Sequence, residues 1–217
     1  MKNVLILAAN GQIARIVEQR ILNEPDFDQI NLTLFLRDAF RLSKYGNNSR
    51  VTLIEGDITE PQAVENAIRD QDIVFVAVVD HDPKNRITNN VINGMRANNV
   101  KRVIFTNVLG IYQEVGGEFG RWNAMMISHG MEPAIVSDCL LAASGLDYTT
   151  LRLPWLNDRD EIKYQITGKN EAYIGVSGSR QSIADAVLQI IADPIKYSRT
   201  SIGMADPDTE GQDRPVY

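Results

Sequence analysis

The chain has a single cysteine, Cys139, in 217 residues. That excludes a disulfide framework within the chain and a cysteine-rich metal centre, and it fits a reducing cytoplasm. There is no surplus of positive charge either: 22 lysines and arginines stand against 28 aspartates and glutamates, a net charge of −6. Nucleic-acid surfaces carry a basic patch, so this balance argues against that class. Long apolar runs are also missing. The first run, Val4 to Leu7, follows Met1-Lys2-Asn3 directly and is too short for a signal peptide or a membrane span. No internal repeat, low-complexity tract or linker divides the chain. At this length one sizeable domain with a real core is the default.

What is present is organised around Val4-Leu5-Ile6-Leu7-Ala8-Ala9-Asn10-Gly11-Gln12-Ile13-Ala14-Arg15. Val4 to Leu7 have the aliphatic character of a strand buried on both faces. Beyond Gly11 the apolar residues Ile13, Ile16, Val17 and Ile21 fall on one face of a helix. A buried strand turning tightly into a helix aims free backbone N–H groups, and the positive end of the helix dipole, at whatever sits above the turn. That geometry suits a pyrophosphate. Ala8, Gly11 and Ala14 occupy the positions of a glycine fingerprint, and only Gly11 is expected to take a positive φ freely. A plain Asn-Gly turn with no ligand is the other reading of this stretch.

The rest of the chain alternates. Further strands are expected at 30–36, 51–55, 72–79, 102–107 and 148–153, with a last one at 200–204. Helices are expected from Thr59, where Thr59 and Gln62 have capping-box spacing, over Lys84–Asn99, from Pro133 to Ala143, and over Ser182–Ala192. Residues 110–120 read as a glycine-rich loop, Ala172–Gly175 as a short extended piece, and the tail from Asp206 as frayed. This rhythm predicts an α/β fold with a doubly wound parallel sheet of six or seven strands. The ligand is expected at the carboxyl ends of the first and fourth strands, where the strand order reverses.

Five stretches in this order resemble the atypical short-chain dehydrogenase/reductase superfamily. More narrowly, they are similar to its single-domain NAD(P)H-binding group of NmrA-like proteins and biliverdin or flavin reductases. They are Ala8–Ile13, Leu36-Arg37-Asp38, Gly56-Asp57-Ile58, Thr106–Gly110, and Ser144-Gly145-Leu146-Asp147-Tyr148 running on to Arg152-Leu153-Pro154. The resemblance implies one Rossmann-type domain over 1–217, with a small C-terminal segment on the substrate side.

It also implies a set of cofactor contacts. Ala9, Asn10, Gly11, Gln12 and Ile13 would surround the pyrophosphate. Arg37 would offer its planar fork to a 2′-phosphate, which predicts NADP over NAD, with NAD left open; a solvated surface arginine is the plain alternative. Arg41 could add a second charge. Asp57 would accept from the adenine amino group and Ile58 would pack on the base, although a turn aspartate after Gly56 is equally ordinary. Ala77, Val78, Val79, Thr106, Asn107 and Pro154 would line the remaining path of the cofactor.

The chain departs from the family at the catalytic helix. Many relatives carry a Tyr-x-x-x-Lys pair there, whereas Ile127-Ser128-His129-Gly130-Met131-Glu132-Pro133-Ala134 has neither residue, and Asn107 replaces the usual serine. Asn107, Tyr112 and His129 are the catalytic candidates, since an imidazole can donate a proton near neutrality. Tyr164 is a weaker candidate, His81 at the mouth of the fourth strand could contact substrate, and Trp122 or Trp155 could stack on a planar substrate. The expected function is an NADPH-dependent oxidoreductase acting on a small planar or quinone-like acceptor. The alternative is a non-catalytic NADP sensor of NmrA-like type with a protein partner. A homodimer is compatible with either.

Overall fold

The computed structural model describes residues 1–217. In chain order the elements are β1 (Lys2–Leu7), α1 (Gln12–Asn23), β2 (Ile30–Leu36), β3 (Val51–Glu55), α2 (Pro61–Ile68), β4 (Ile73–Val76), α3 (Arg86–Ala97), β5 (Arg102–Val108), α4 (Gly117–Met126), α5 (Ser128–Ala143), β6 (Asp147–Leu153), β7 (Trp155–Asn157), β8 (Gln165–Thr167), β9 (Ser177–Ser179), α6 (Arg180–Ala192) and β10 (Thr200–Ala205). Short 3₁₀ turns cover Pro25–Phe27, Ala39–Tyr45 and Pro207–Thr209.

One sheet runs through the molecule in the order β3-β2-β1-β4-β5-β6-β10-β8. Every pairing from β3 to β10 is parallel, and only the edge strand β8 runs antiparallel. The expected doubly wound sheet is therefore present with seven parallel strands. Val4 to Leu7 are fully buried, as strands covered on both faces must be. Val4 and Ile6 join the core under α1 and α6. Leu5 and Leu7 point the other way, into the core under α2, α3 and α5. No helix is long and apolar enough to cross a membrane.

Several local expectations change. β4 ends at Val76, so Ala77–Val79 lie beyond the strand. The Ala77 N–H still bonds the Leu7 carbonyl at 3.0 Å, and the chain then leaves the sheet at the point where the strand order reverses. α5 starts at Ser128 rather than Pro133, which sits inside the helix. Thr59 caps nothing: Glu60 precedes α2, and the Thr59 N–H and hydroxyl both donate to Asp57. The last four residues of the 110–120 stretch are helical, because α4 begins at Gly117. Ala172–Gly175 forms no strand; the extended piece is β9. The tail is pinned, not frayed. The Thr209 hydroxyl accepts from the Val176 N–H at 2.9 Å, and the Val216 N–H bonds the Ser177 hydroxyl at 2.8 Å.

Candidate functional site

The turn after β1 opens α1 without a cap. Gly11 occupies the N-cap position, has no side chain to offer, and no acidic residue stands in the first turn. The first amides of α1 are thus free to meet an anion. The left-handed residue of this turn is not the glycine. Gly11 is extended, with φ −66° and ψ 154°, whereas Ala8 takes φ +62°. Ala8 turns the chain out of the strand so that its carbonyl receives the Gly11 N–H at 3.1 Å and the Ala9 N–H reaches the Phe35 carbonyl on β2, also at 3.1 Å. Gly11 instead keeps the cleft wall thin: a Cβ there would stand 3.4 Å from the Ala8 carbonyl oxygen and 3.6 Å from that of Ala77.

A cleft of roughly 720 Å³ opens at this turn, between the carboxyl ends of β1, β2, β3 and β4. That is the size range of small-molecule sites. Of the expected contacts, Asn10, Gly11, Arg37, Asp57, Ile58, Ala77 and Val78 line it. Ala9 is buried behind the turn, and Gln12 and Ile13 begin α1 at its edge. Val79 lies one residue past the lining. Thr106 and Asn107 are buried on β5, and Pro154 is buried against Gly178, outside the cleft. Arg41, the expected second charge, lines it too, and Phe35, Gly56 and Thr59 join the lining without having been expected. Gly56 explains itself only in three dimensions: a Cβ there would lie 2.6 Å from the Phe35 ring.

Two charged groups of this cleft, Arg37 and Asp57, keep free capacity, whereas Asn10 accepts from Arg15. Arg37 is exposed and makes no hydrogen bond or ion pair within the chain. Its segment is held by the Ala39 N–H, which donates to Glu55 Oε2 at 3.1 Å. Arg41 pairs with Asp38 at 3.2 Å in solvent. Asp57 receives both Thr59 donors on Oδ1, each at 2.8 Å, which leaves Oδ2 unused. The Thr59 backbone N–H, then its hydroxyl, hold the Asp57 carboxyl below its ordinary range, with Arg37 and Arg86 adding opposite charge. It is therefore an acceptor at neutral pH.

Beyond β5 the pattern reverses. Asn107 donates to the Ala134 carbonyl at 2.9 Å and accepts the Val108 N–H at 2.8 Å. The Tyr112 hydroxyl bonds Asp138 on α5, and its ring lies 5.2 Å from the Arg152 guanidinium and 4.7 Å from Lys169. Burial, then the Asp138 bond, push the Tyr112 phenol well up. Arg152 and Glu114 form a buried pair at 2.6 Å, and Glu114 also accepts the Gly110 and Tyr112 N–H groups. This pair shapes the 109–116 loop, and nothing in the local sequence marked it. Tyr164 bonds Asp185 at 2.9 Å, in a network with Arg20 that joins α1 to α6. Trp155 donates to Asn123 at 2.9 Å and packs on Trp122, so both indoles fix α4. His129 stays exposed on the first turn of α5.

A parallel doubly wound sheet with an open, anion-ready cleft at its reversal point defines a dinucleotide-binding protein. The bare α1 terminus, the free Arg37 fork and the Gly56–Phe35 wall all fit such a cofactor. The sequence matches the model of the NAD(P)H-binding family over residues 8–194, and the chain belongs to that family. No curated protein matches it. Solved structures do. A Rossmann-fold NAD(P)-binding family protein from Shigella flexneri is 35% identical, with a TM-score of 0.82 over 100% of this chain and 99% of that one. A short-chain dehydrogenase/reductase (wide type) from Veillonella parvula DSM 2008, solved in complex with NADP, is 27% identical, with a TM-score of 0.91 and the same coverage. ChuY, an anaerobillin reductase from Escherichia coli O157:H7, is 18% identical and shares the fold, with a TM-score of 0.78 over 99% of this chain and 100% of that one.

Proposed function

We propose that the protein is an NADPH-dependent reductase of a small planar or quinone-like acceptor, working without a tyrosine–lysine pair. The observation that carries the reading is Arg37, an exposed guanidinium at the end of β2 with its whole fork unused. A planar fork at that point matches a 2′-phosphate, whereas a carboxylate there would select a free ribose. The α1 terminus with Asn10 and Gly11 would take the pyrophosphate. Asp57 Oδ2 would accept from the adenine amino group, with Ile58 against the base. Ala77 to Val79 would carry the cofactor toward β5, where Thr106 and Asn107, and then Pro154, bound its far half. When bound, NADPH supplies a hydride. Asn107 would set the end of β5 against α5 rather than donate a proton, and Tyr112 would hold the loop.

The test is NADPH binding followed by NADPH consumption against a panel of quinones, flavins and carbonyls. Binding with consumption by a quinone or flavin is the expected result. A second reading, a non-catalytic NADP sensor with a protein partner, is favoured by one observation: Met125, Met126, Ile135 and Val136 are exposed along α4 and α5. Tight NADPH binding with no consumption by any acceptor would select it. The reducing cytoplasm suggested by the lone cysteine suits both readings.

A further inference from the structure

The chain has two histidines, and both stand at one point of the fold. His81 follows Val78 of the cleft lining by three residues, and His129 adjoins Gly130 on the first turn of α5. The His81 ring lies directly on Gly130. A Cβ at position 130 would be 2.5 Å from its Nδ1, 2.9 Å from Cε1 and 3.5 Å from Cγ. Any side chain at 130 would drive the imidazole out of this seat.

The loop that presents His81 is bolted to α5 on both sides of the ring. Asp80 is fully buried and accepts the Asp82 N–H at 3.1 Å, the Thr88 N–H at 2.8 Å and the Thr88 hydroxyl at 2.7 Å. That hydroxyl lies 2.8 Å from the Ser137 hydroxyl of α5. On the other side Asn85, left-handed at φ +47°, donates to the Pro133 carbonyl at 2.8 Å. Asp82 is fixed in turn by Arg86. Exposed loop residues are ordinarily mobile, and a left-handed asparagine persists only where its surroundings hold it. Here a short loop is held at three points, and what it presents to solvent at the end of β4 is an imidazole.

Of the other proton-bearing groups near the strand ends three are committed, and the fourth, His129, stays exposed with only the Ser128 hydroxyl near its ring, at 3.4 Å. Tyr112 is held by Asp138, Asn107 by the Ala134 carbonyl, and Tyr164 by Asp185. We infer that His81, seated on Gly130 beside the end of the cleft, is the residue that gives a proton to the acceptor. This rests on the reductase reading. The proton leaves a ring N–H of the imidazolium and bonds to the acceptor oxygen, whose new electron pair comes with the hydride that the dinucleotide supplies. The acceptor thus gains two electrons and two hydrogens, and solvent, which reaches the exposed ring, returns the proton to His81.

The experiment uses the full chain with menadione as the acceptor probe. Side-chain nitrogen NMR of the NADP⁺-loaded protein resolves two imidazoles, assigned with His81→Asn and His129→Asn. Adding menadione should shift the His81 ring signals. His81→Asn should keep its NADPH affinity, lower turnover by roughly the 10²–10⁴-fold that a general acid supplies, and flatten the pH dependence of the rate. Gly130→Ala should displace the His81 signals before any acceptor is added and lower turnover in the same direction. Turnover by His81→Asn equal to wild type, or menadione shifts at His129 with none at His81, would overturn the inference and leave the reductase reading standing. A wild type that binds NADPH and reduces no member of the panel would fail that reading, and the role of His81 with it.

Discussion

The two ends of the strand edge use the same residue types in opposite ways. At the nucleotide end Arg37 is exposed with no partner, Asp57 keeps one oxygen unused, and the α1 amides are uncapped. Past β5, Arg152 is 0% exposed, pairs with Glu114 and donates to the carbonyls of Thr167 and Gly168 at 3.3 and 2.8 Å. Tyr173 beside it donates to the Arg152 and Met204 carbonyls at 2.9 and 2.8 Å, and burial pushes its phenol far up. Polar groups at the cleft, the ones proposed to meet the cofactor, keep unused bonding capacity. Polar groups that serve the fold have spent most of their capacity on one another, and what remains, such as Arg152 Nε and Asp138 Oδ1, is buried out of a ligand's reach. The distinction between a binding arginine and a structural one is what each has already bonded.

The strongest way to break this comparison is to fill the open end. Gly11→Val puts a branched side chain into the cleft wall, yet its extended backbone suits any residue. NADPH binding should be lost while the melting temperature barely moves, as read by titration and thermal unfolding of the same sample. Unfolding of the variant would instead show that the turn needs glycine for its own conformation.

Next is the committed end. Glu114→Ala leaves Arg152 charged and buried and should cost about 3–5 kcal/mol in urea unfolding. A small change would mean that water reaches the pair. A third variant sharpens the nucleotide side. Arg37→Glu should weaken NADPH binding by at least about tenfold, from a charge-assisted contact contributing on the order of 1.5–3 kcal/mol, and affect NADH less. Equal affinities of the unmodified protein for NADPH and NADH would remove the basis for this assignment.

A last test concerns Glu18, which belongs to neither pattern. It is fully buried on α1, and both its carboxyl oxygens lack a partner. Burial raises its pKa from 4.5 to about 8, against the opposing charges of Lys44 and Arg15. The folded state therefore holds a proton that the unfolded state releases, and stability falls as pH rises from 4.5 toward 8. Glu18→Gln should remove this dependence. Its melting temperature should match wild type in acid and exceed it above the folded-state pKa. An equal gain at both ends of the range would rule out titration of Glu18 as the cause.

Much of the nucleotide end was legible in the sequence because its signals are local. A buried strand, a tight turn and an amphipathic helix lie within one short stretch, Arg37 follows directly on β2, and Asp57 stands two residues past β3. Reading Gly11 as the left-handed residue failed because glycine permits a positive φ without requiring it; Ala8 takes that conformation instead. The far side was poorly legible. Asn107, Tyr112 and Pro154 were placed by pattern, and their actual bonds run to residues well separated in sequence, as with Tyr112 to Asp138 and Pro154 against Gly178. The pinned tail was missed for the same reason: its polar residues reach back to β9.

By itself the sequence determined the order of the seven parallel strands and of the helices between them apart from α4, and the place where the sheet reverses; the short β7, β8 and β9 escaped it. What it determined follows from hydrophobic period and turn chemistry, which act over a few residues. Only the tertiary structure decided which polar side chains remain free. It paired Arg152 with Glu114 from 38 residues away, bolted Asn85 to Pro133 across 48, and seated His81 on Gly130. Hydrogen-bonding capacity is finite and is consumed by whatever folding brings within about 3 Å, so a residue's type states what it can do and its neighbours decide what it still can.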